Sequence, residues 1–312
     1  MRVFLAGATG VIGRRLLPHL LAQGHEVTGM TRSPERLQVL RAAGADGVVA
    51  DAFDADALRR VVIEARPDAV IHQLTSIPSR IDPRKIKRDF AVNDRLRTEG
   101  TANLVAAAEA AGATRLVAQS VAFFYAPGPP GTVHAESDPL LRGEQAPGPV
   151  KRSAEALVSL ERTVLEAGGT VLRYGYLYGP GSAISREGST GREVARGRLP
   201  VVGSGAGVWS FVHVDDAATA TVAALDAGKP GVFNIVDDDP ARVADWVPAL
   251  AAALQARKPR KAPALLARAL AGSYGVAIMT QAQGASNALA KRELGWSPRH
   301  ASWREGFQTA LG

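Results

Sequence analysis

Short apolar runs alternate with longer amphipathic runs over about the first 175 residues. The apolar runs carry few polar positions, which is typical of strands that are buried on both faces of a parallel sheet. They predict strands at residues 2–6, 26–30, 47–50, 69–73, 115–119 and 170–174, separated by helices at 11–23, 34–43, 54–65, 87–111 and 153–167. This alternation predicts an α/β fold built on a doubly wound parallel sheet.

Glycine and proline positions refine this pattern. Four helical runs are followed by a glycine, where a helix end favours a left-handed residue: Gly24, Gly44, Gly112 and Gly168. Pro18 inside the first helix is expected to remove a backbone hydrogen bond and to kink the helix. Residues 126–149 are rich in both residue types, which predicts a mobile loop.

The pattern changes after about residue 175. Residues 179–207 hold ten glycines and prolines, which predicts a loop with one short helix. The remaining pattern predicts strands at 209–214 and 231–236 and mostly helix from 246 to 312. Asp215 or Asp216 is expected to cap the helix after the first of these strands.

Residues 3–13 form an apolar strand that leads into glycines at positions 7, 10 and 13, and a helical pattern comes next. In such a unit Gly7 permits a tight turn, Gly10 lets the backbone approach a pyrophosphate, and Gly13 permits close packing of helix on strand. The unpaired N–H groups of the helix N-terminus are available to the phosphates. The segment therefore predicts a dinucleotide-binding loop.

The glycine spacing, in Gly-Ala-Thr-Gly-Val-Ile-Gly, resembles the opening of the extended and atypical short-chain dehydrogenase/reductases, which include nucleotide-sugar epimerases and NmrA-like regulators. Later segments extend the resemblance over nearly the whole chain, at 161–162, 171–181, 201–205, 209–217, 231–236 and 291–298. The resemblance implies a Rossmann fold in two parts. Residues 1–174 plus 209–237 would form the cofactor-binding core, and 175–208 plus 238–312 a smaller, mainly helical substrate-binding part.

The end of the second predicted strand bears on the choice of dinucleotide. NAD-binding folds usually place an acid there, which accepts hydrogen bonds from the adenosine ribose. In this chain Thr31 takes that position and Arg32 is the next residue. An arginine makes charge-assisted hydrogen bonds with a ribose 2′-phosphate, and Arg36 offers a second cation. The sequence therefore predicts NADP rather than NAD, with a solvated loop arginine as the alternative for Arg32.

The resemblance also assigns cofactor contacts at other strand ends. Asp51 and Ala52 would line the adenine, with a helix cap as the alternative role of Asp51. Residues 73–75 would line the central region of the cofactor. The full set of expected cofactor contacts is Gly7, Thr9, Gly10, Val11, Ile12, Gly13, Arg32, Arg36, Asp51, Ala52, Gln73, Leu74, Thr75, Ser120 and Tyr174.

The catalytic residues of the resembled superfamily are incomplete in this chain. Its members reduce carbonyls with a serine, a tyrosine that donates the proton and a lysine four residues later on the same helix face. Counting back from Glu161, which resembles part of a family Glu-Arg motif, the tyrosine position is Ser153 and the lysine position is Leu157. A second register keeps Lys151 but places Pro147 at the tyrosine position. Neither register contains a Tyr-x-x-x-Lys pair.

Other residues are candidates for the chemistry. In the strand ending at Tyr125, Ser120 precedes the usual hydroxyl position, which is Val121. Arg97 replaces the family's asparagine, where it would bind an anion or polarise an oxyanion, with a solvated helical arginine as the alternative. The expected proton donors are Tyr125, Tyr176, Ser120 or a bound water, in that order.

Metal and dyad chemistry are not expected. His72 lies within an apolar run and is predicted to be a buried core residue. His213 lies near Asp215, but a strand-end histidine and a capping aspartate explain that spacing without catalysis. The sequence contains no pattern of metal ligands and no Gly-x-Ser-x-Gly motif.

These features predict an NADP-dependent oxidoreductase that reduces a carbonyl or a conjugated double bond of a small molecule. An epimerase or dehydratase is the second enzymatic interpretation, and the missing pair weakens it because such reactions begin by deprotonating a substrate hydroxyl. A non-catalytic NADP sensor, similar to the NmrA-like regulators, is the third. Aromatic residues that are available to line a substrate pocket favour an enzyme: Tyr174, Tyr176, Tyr178, Trp209 and Tyr274.

Composition narrows the partners. The chain has 312 residues, no cysteine and a net charge of +7, so disulfide and thiolate chemistry are excluded. Basic residues cluster at 80–88 and 257–261 without interleaved aromatics, and nucleic-acid binding is not expected. The N-terminus does not resemble a signal peptide, and no apolar run approaches the roughly 18 residues of a membrane helix. A cytoplasmic monomer or homodimer is expected.

Overall fold

The computed structural model describes residues 1–78, 81–82 and 84–312. Its strands are β1 (Arg2–Ala6), β2 (Glu26–Thr31), β3 (Asp46–Val49), β4 (Ala69–His72), β5 (Arg115–Val121), β6 (Val133–His134), β7 (Thr170–Tyr174), β8 (Tyr176–Tyr178), β9 (Val201–Val202), β10 (Val208–Trp209), β11 (Phe211–His213), β12 (Gly231–Ile235), β13 (Ala241–Arg242), β14 (Lys261–Ala262) and β15 (Gly284–Ala285).

The helices are α1 (Gly13–Ala22), α2 (Leu37–Ala42), α3 (Ala55–Ala65), α4 (Ile86–Asp89), α5 (Ala91–Arg95), α6 (Thr101–Ala110), α7 (Lys151–Glu166), α8 (Ser189–Ala195), α9 (Val214–Ala227), α10 (Val243–Ala253), α11 (Ala264–Thr280), α12 (Ala288–Leu294) and α13 (Trp303–Thr309). A 3₁₀ turn at Pro34–Arg36 precedes α2, and a π-helical turn at Leu96–Gly100 joins α5 to α6.

Seven strands form one sheet in the order β12-β7-β5-β4-β1-β2-β3, and every pairing is parallel. All six strands predicted from the first part of the chain lie in this sheet, and the predicted strand at 231–236 adds an edge as β12. The chain runs from β1 outward in both directions, so the loops after β1 and β4 diverge and leave a crevice at their carboxyl ends. The predicted α/β fold with a doubly wound sheet is confirmed.

Helices cover both faces of the sheet because its strands are apolar on both sides. Leu16 and Leu20 of α1 pack against one face together with α9. Leu58 of α3 and Leu104 of α6 pack against the other face. Pro18 lies inside α1 as predicted, and the four glycines placed after helices all have positive φ, between 69° and 88°.

A second apolar cluster lies in the C-terminal part and is rich in aromatic side chains, namely Tyr178, Trp209, Phe211, Trp246, Trp303 and Phe307. The predicted single strand at 209–214 is two short strands, which pair outside the seven-stranded sheet, β10 with β13 and β11 with β8. Ser210 separates them, because its carbonyl accepts the N–H of Tyr176 and its hydroxyl accepts the N–H of Ala285. The boundary between the two predicted parts stays a prediction.

The structure differs from two predictions made from the sequence, the mobility of the loop at 126–149 and the cap of α9. The loop at 126–149 has more anchoring than its composition predicts, because β6 pairs with β15 and Gln283 hydrogen-bonds to both the N–H and the carbonyl of Gly128. The cap of α9 is neither Asp215 nor Asp216. Instead His213 Nδ1 accepts the N–H of Asp215 at 3.2 Å.

The basic cluster at 80–88 is largely paired where it is described, although Arg80 lies outside the described residues. Lys85 lies 3.6 Å from Asp82, and Arg88 lies 2.7 Å from Asp89. Arg84 donates to the carbonyl of Ala269 in α11. Across the described ranges, no helix has the combined length and apolar character that a membrane span requires.

Candidate functional site

The three glycines of the loop after β1 differ in their structural role: Gly7 and Gly13 are required by close backbone contacts, and Gly10 is not. Gly7 has φ +89°, and a Cβ there would lie 2.6 Å from the carbonyl oxygen of Gln73. A Cβ on Gly13 would lie 2.2 Å from the Gly7 carbonyl oxygen, so α1 packs on the loop only because that residue is glycine. Gly10 is exposed, and among the described residues its Cβ would meet the Gly7 oxygen alone, at 3.1 Å. The protein itself therefore needs Gly7 and Gly13, while Gly10 keeps open a backbone cradle of the kind that a pyrophosphate fills.

Cations border this cradle. Arg36 donates from Nη1 to Thr9 Oγ1 at 3.3 Å, across from the end of β2. Arg32 is exposed, and within the described part of the chain neither arginine forms an ion pair with an acid. Thr31 is buried at the end of β2 in the position where an NAD-binding fold usually has an acid. The segment that follows β2 therefore presents two arginines, and the Thr31 position carries no carboxylate.

The loop after β3 places Asp51 and Ala52 beside this region. The Asp51 carboxylate is exposed and accepts the N–H of Phe53 at 3.0 Å. Asp54 is the residue that caps α3, since its carboxylate accepts the N–H of Ala57. The helix-cap alternative for Asp51 is therefore wrong, and its outer oxygen stays available to a ligand.

Gln73, Leu74 and Thr75 come after β4, directly opposite the turn at Gly7. Gln73 donates from Nε2 to the hydroxyl of Tyr174 at 3.0 Å, and that hydroxyl lies 2.7 Å from Thr221 Oγ1. Tyr174 is fully buried, and burial raises its pKa to about 12. Tyr174 therefore does not contact a ligand directly, and its hydroxyl positions the Gln73 side chain instead.

His72 is a core residue, as predicted. Its Nε2 lies 3.0 Å from the Thr101 hydroxyl and its Nδ1 accepts the N–H of Leu74. Burial lowers the pKa of His72 to about 4, so the ring is neutral at physiological pH. A neutral ring with both nitrogens occupied has a structural role.

Ser120 and Tyr125 belong to one buried hydrogen-bonded network. Ser120 donates to Glu161 at 2.6 Å, and Glu161 receives two hydrogen bonds from Arg173, at 2.9 and 2.7 Å. Arg173 also donates to the Tyr125 hydroxyl at 2.8 Å, and that hydroxyl donates to Asn234 at 2.6 Å. Burial raises the pKa of Tyr125. Two of the three hydroxyls that the sequence offers as proton donors, those of Ser120 and Tyr125, therefore have hydrogen-bond partners inside the protein.

Tyr176 has a different environment. Its ring stacks between Phe123, at a centroid distance of 4.3 Å, and Trp209, at 3.8 Å. Its hydroxyl has no hydrogen-bond partner within the described residues, and burial raises its pKa well above the usual range. The three rings form an apolar column stacked face to face, which we call the aromatic stack.

Helix α7 carries Ser153 and Leu157 on its buried face, the two residues that the register counted from Glu161 predicts at the tyrosine and lysine positions. Lys151 begins the helix and is exposed, so the second register places its lysine in solvent. At these two positions the buried face offers one hydroxyl and no group that titrates near neutral pH.

Arg97 lies in the π-helical turn and is only 6% exposed, so the interpretation as a solvated helical arginine is wrong. Burial lowers its pKa to about 10, which leaves the guanidinium charged at neutral pH. Two polar residues that the sequence interpretation missed, Asn93 and Asp94, are buried beside it. Their spacing of four and three residues before Arg97 is the signal that could have found them, because it places all three on one helix face.

His213, Asp216 and His300 bring three metal-ligating groups within 4.8 Å of one another. Asp216 accepts the backbone N–H groups of Arg299 and His300, and His300 Nδ1 lies 3.0 Å from the same carboxylate. His213 donates from Nε2 to the Ala310 carbonyl, while its Nδ1 caps α9. These atoms already have partners, and the cluster fixes the C-terminal segment to α9.

Comparisons with known proteins agree with this architecture. Residues 3–236 match the model of the NAD dependent epimerase/dehydratase family. A 3-diazoavenalumate denitrifying reductase from a Streptomyces species is 48% identical over 312 residues, covering 98% of this chain and 99% of that protein.

Solved structures share the fold. UDP-glucose 4-epimerase from Thermus thermophilus, in complex with NAD, has a TM-score of 0.76 at 24% identity and covers 100% of this chain and 98% of its own. A human epimerase family protein with NADPH has a TM-score of 0.74 at 21% identity and covers 100% of this chain and 99% of its own. The family match and the glycine cradle together support a nicotinamide dinucleotide cofactor. The chain belongs to the NAD dependent epimerase/dehydratase family.

Proposed function

We propose that this protein is an NADPH-dependent reductase of a small, flat, anionic molecule, and that a diazo-bearing aromatic carboxylate is its preferred kind of substrate. The observation that carries the proposal is the α7 face, where Ser153 and Leu157 replace a proton-donating pair. The name of the relative at 48% identity, which denotes reductive removal of nitrogen from a diazo carboxylate, supports this substrate class. Carbonyls and conjugated double bonds are the other acceptors to be tested.

NADPH bound at the glycine cradle supplies a hydride; in net terms a C–H bond forms at a diazonium carbon while the C–N bonding pair leaves with N₂. Such a reaction creates no alkoxide, so this chain needs no tyrosine to donate a proton and no lysine to lower that tyrosine's pKa. Ser153 and Leu157 then have a packing role on α7 and no part in proton transfer. The aromatic stack binds the flat ring of the substrate and excludes water from it.

We further propose that Ser120 and Tyr125 are structural, because both hydroxyls are held in the network with Glu161 and Arg173. Epimerase and dehydratase activity is disfavoured on the same grounds. Those reactions require a base to deprotonate a substrate hydroxyl, and the α7 face offers none.

Turnover with isotopically labelled cofactor tests the proposal. With C4-deuterated NADPH and 3-diazoavenalumate, we expect one equivalent of NADPH consumed per N₂ released, with deuterium retained in the product. The cofactor-free protein is the control. Binding of NADP and NADPH without turnover of diazo, carbonyl or enone substrates would instead identify a sensor.

Arg32→Ala tests the choice of NADP over NAD. We expect the affinity for NADPH to fall about tenfold or more, since a charge-assisted hydrogen bond contributes about 1.5–3 kcal/mol. The affinity for NADH should not change. Calorimetric titration of both cofactors measures the two affinities. The matched control is Arg59→Ala, which removes an exposed arginine of α3. Equal affinities in the unmodified protein, or an unchanged ratio in the variant, would contradict the assignment.

Tyr176→Phe and Ser153→Ala separate the two kinds of reduction. For a diazo substrate we expect both variants to keep kcat within about threefold, because no proton is donated by either hydroxyl. If Tyr176 were the general acid of a carbonyl reduction, kcat would fall by about 10²–10⁴-fold in Tyr176→Phe. Steady-state kinetics on both substrate types therefore distinguish the mechanisms.

A further inference from the structure

Asn93, Asp94 and Arg97, which we call the Arg97 cluster, contain buried polar atoms without partners. Arg97 Nε and Asn93 Nδ2 have no hydrogen-bond partner within the described residues, and the Asp94 carboxylate faces the Ser153 hydroxyl of α7. Asp94 is 2% exposed and Asn93 1% exposed. Buried polar atoms are nearly always hydrogen-bonded, and buried charges in particular are paired or ligated. Two such atoms on one helix face, one of them on a buried guanidinium, therefore indicate a group that the chain alone does not supply.

The cluster has a fixed frame. The Asn93 side-chain oxygen accepts the N–H of Ser76 at 2.9 Å, which ties the helix to the segment after β4. Glu99, an acid near Arg97 in sequence, pairs with Arg95 instead, through two hydrogen bonds of 2.6 and 2.7 Å. Arg97 Nε is left without a partner among the described residues. The side chains are thus held in place while their outward atoms remain unpaired.

Side chains from other elements surround it. Ser153 of α7 lies beside Asp94, and burial raises the pKa of the Asp94 carboxyl while Ser153, Arg97 and Arg152 oppose that rise. Tyr274 of α11 lies near enough to Arg97 for the guanidinium to lower its pKa, although burial dominates and raises it to about 12. Tyr274 packs against the same apolar cluster as Phe123, one of the outer rings of the aromatic stack, which places it between the stack and the turn that carries Arg97.

The charges of the cluster limit what it binds. A planar guanidinium matches a carboxylate with two parallel hydrogen bonds. Asp94 is an acid three residues before Arg97, and no ion pair within 4.0 Å joins the two side chains. One cation beside one acid suits a ligand with a single negative charge, whereas the two or more charges of a sugar-nucleotide diphosphate would be repelled by Asp94.

We propose that Arg97 binds the carboxylate of an aromatic carboxylate substrate, with Asp94 beside it as an acid that competes with the ligand. The inference rests on the proposed function in taking the aromatic stack as the substrate site. It adds the residue that selects for an anionic group, at a position where the resembled superfamily has an asparagine. Arg97 is thereby a specificity-determining residue.

Binding to the NADP-loaded protein tests this without requiring turnover. The probes are trans-cinnamate and its neutral isostere trans-cinnamamide, measured by calorimetry. We expect the unmodified protein to prefer the carboxylate by about tenfold or more, the discrimination that one charge-assisted hydrogen-bonded pair provides. Equal affinity for the two probes, or no detectable cinnamate binding, would overturn the proposal.

Arg97→Met should remove this preference, weakening cinnamate by about tenfold or more and leaving cinnamamide within about twofold. Arg162→Met, an exposed arginine on α7, is the matched control. Equal weakening of both probes in Arg97→Met would mean lost packing and would overturn the proposal. Asp94→Asn should tighten cinnamate binding, since it removes the competing acid.

If Arg97→Met does not fold, the role of Arg97 is tested with Arg97→Lys and with the comparison of the two probes on the unmodified protein. Arg97→Lys keeps the charge but loses the planar fork, so cinnamate binding should weaken less than in the methionine variant. The binding result is also separable from the proposed function. If the protein prefers the carboxylate probe but shows no turnover, the role of Arg97 is supported and the reductase activity is contradicted. If it turns over substrate without preferring the carboxylate probe, the reductase activity is supported and the role of Arg97 is contradicted.

Discussion

Replacement of Gly10 by valine is expected to reduce NADP(H) binding by more than about 100-fold while the fold is retained. The exposed Cβ position meets only the Gly7 oxygen, at 3.1 Å, so the first added carbon needs little rearrangement of the protein. The two valine branches then occupy the space that a pyrophosphate requires. Calorimetry would give the cofactor affinity, and thermal unfolding without cofactor would show whether the fold is intact.

Two other glycines provide the controls for this experiment. Gly13→Ala should destabilise the protein instead, since its Cβ would lie 2.2 Å from the Gly7 carbonyl oxygen. Gly148→Val should change neither property, because nothing lies within 4 Å of a Cβ there. Normal NADPH affinity in Gly10→Val would mean that the phosphates bind elsewhere.

Glu161→Ala is expected to lower the free energy of unfolding by about 3–5 kcal/mol, the cost of removing one partner of a buried ion pair. Glu161 and Arg173 are 5% and 6% exposed at the side chain, and their closest atoms are 2.7 Å apart. Without the carboxylate, the Arg173 guanidinium stays buried and the Ser120 hydroxyl loses its acceptor. Urea denaturation of the purified protein measures the change.

A paired substitution distinguishes the ion pair from simple loss of volume. Glu161→Leu combined with Arg173→Met replaces both charges with apolar groups and should restore most of the stability, because no unpaired charge remains. Ser120→Ala should cost only about 1 kcal/mol, as one hydrogen bond. A loss below about 1 kcal/mol in Glu161→Ala would contradict the role given to this pair.

Local signals predicted much of this fold. The strands of the main sheet are short apolar runs and the helices have a regular period, so each element could be placed from its own segment. The glycine loop could be interpreted in the same way, since the steric demands on Gly7 and Gly13 arise from backbone atoms close in sequence or directly across β4.

The partners of polar side chains could not be predicted in this way. The hydrogen bonds that hold Ser120 and Tyr125 involve residues far away in sequence. Tyr125 and its acceptor Asn234 are 109 residues apart, and even Glu161 and Arg173 are separated by 12 residues. The burial of Arg97 depends on how α7 packs against the π-helical turn that carries it. Such contacts arise from tertiary packing, which a linear pattern does not record.

The π-helical turn at Leu96–Gly100 sets the angular phase between the two halves of its helix. Each residue of an α-helix advances about 100° around the axis, so a turn with one residue more rotates the next helix by that angle. This lets α6 keep Leu104 and Ala107 against the sheet while Asp94 and Arg97 project in another direction. Deletion of a single residue in this turn would bring the two halves back into phase, and apolar packing and polar recognition would then compete for the same side of the helix.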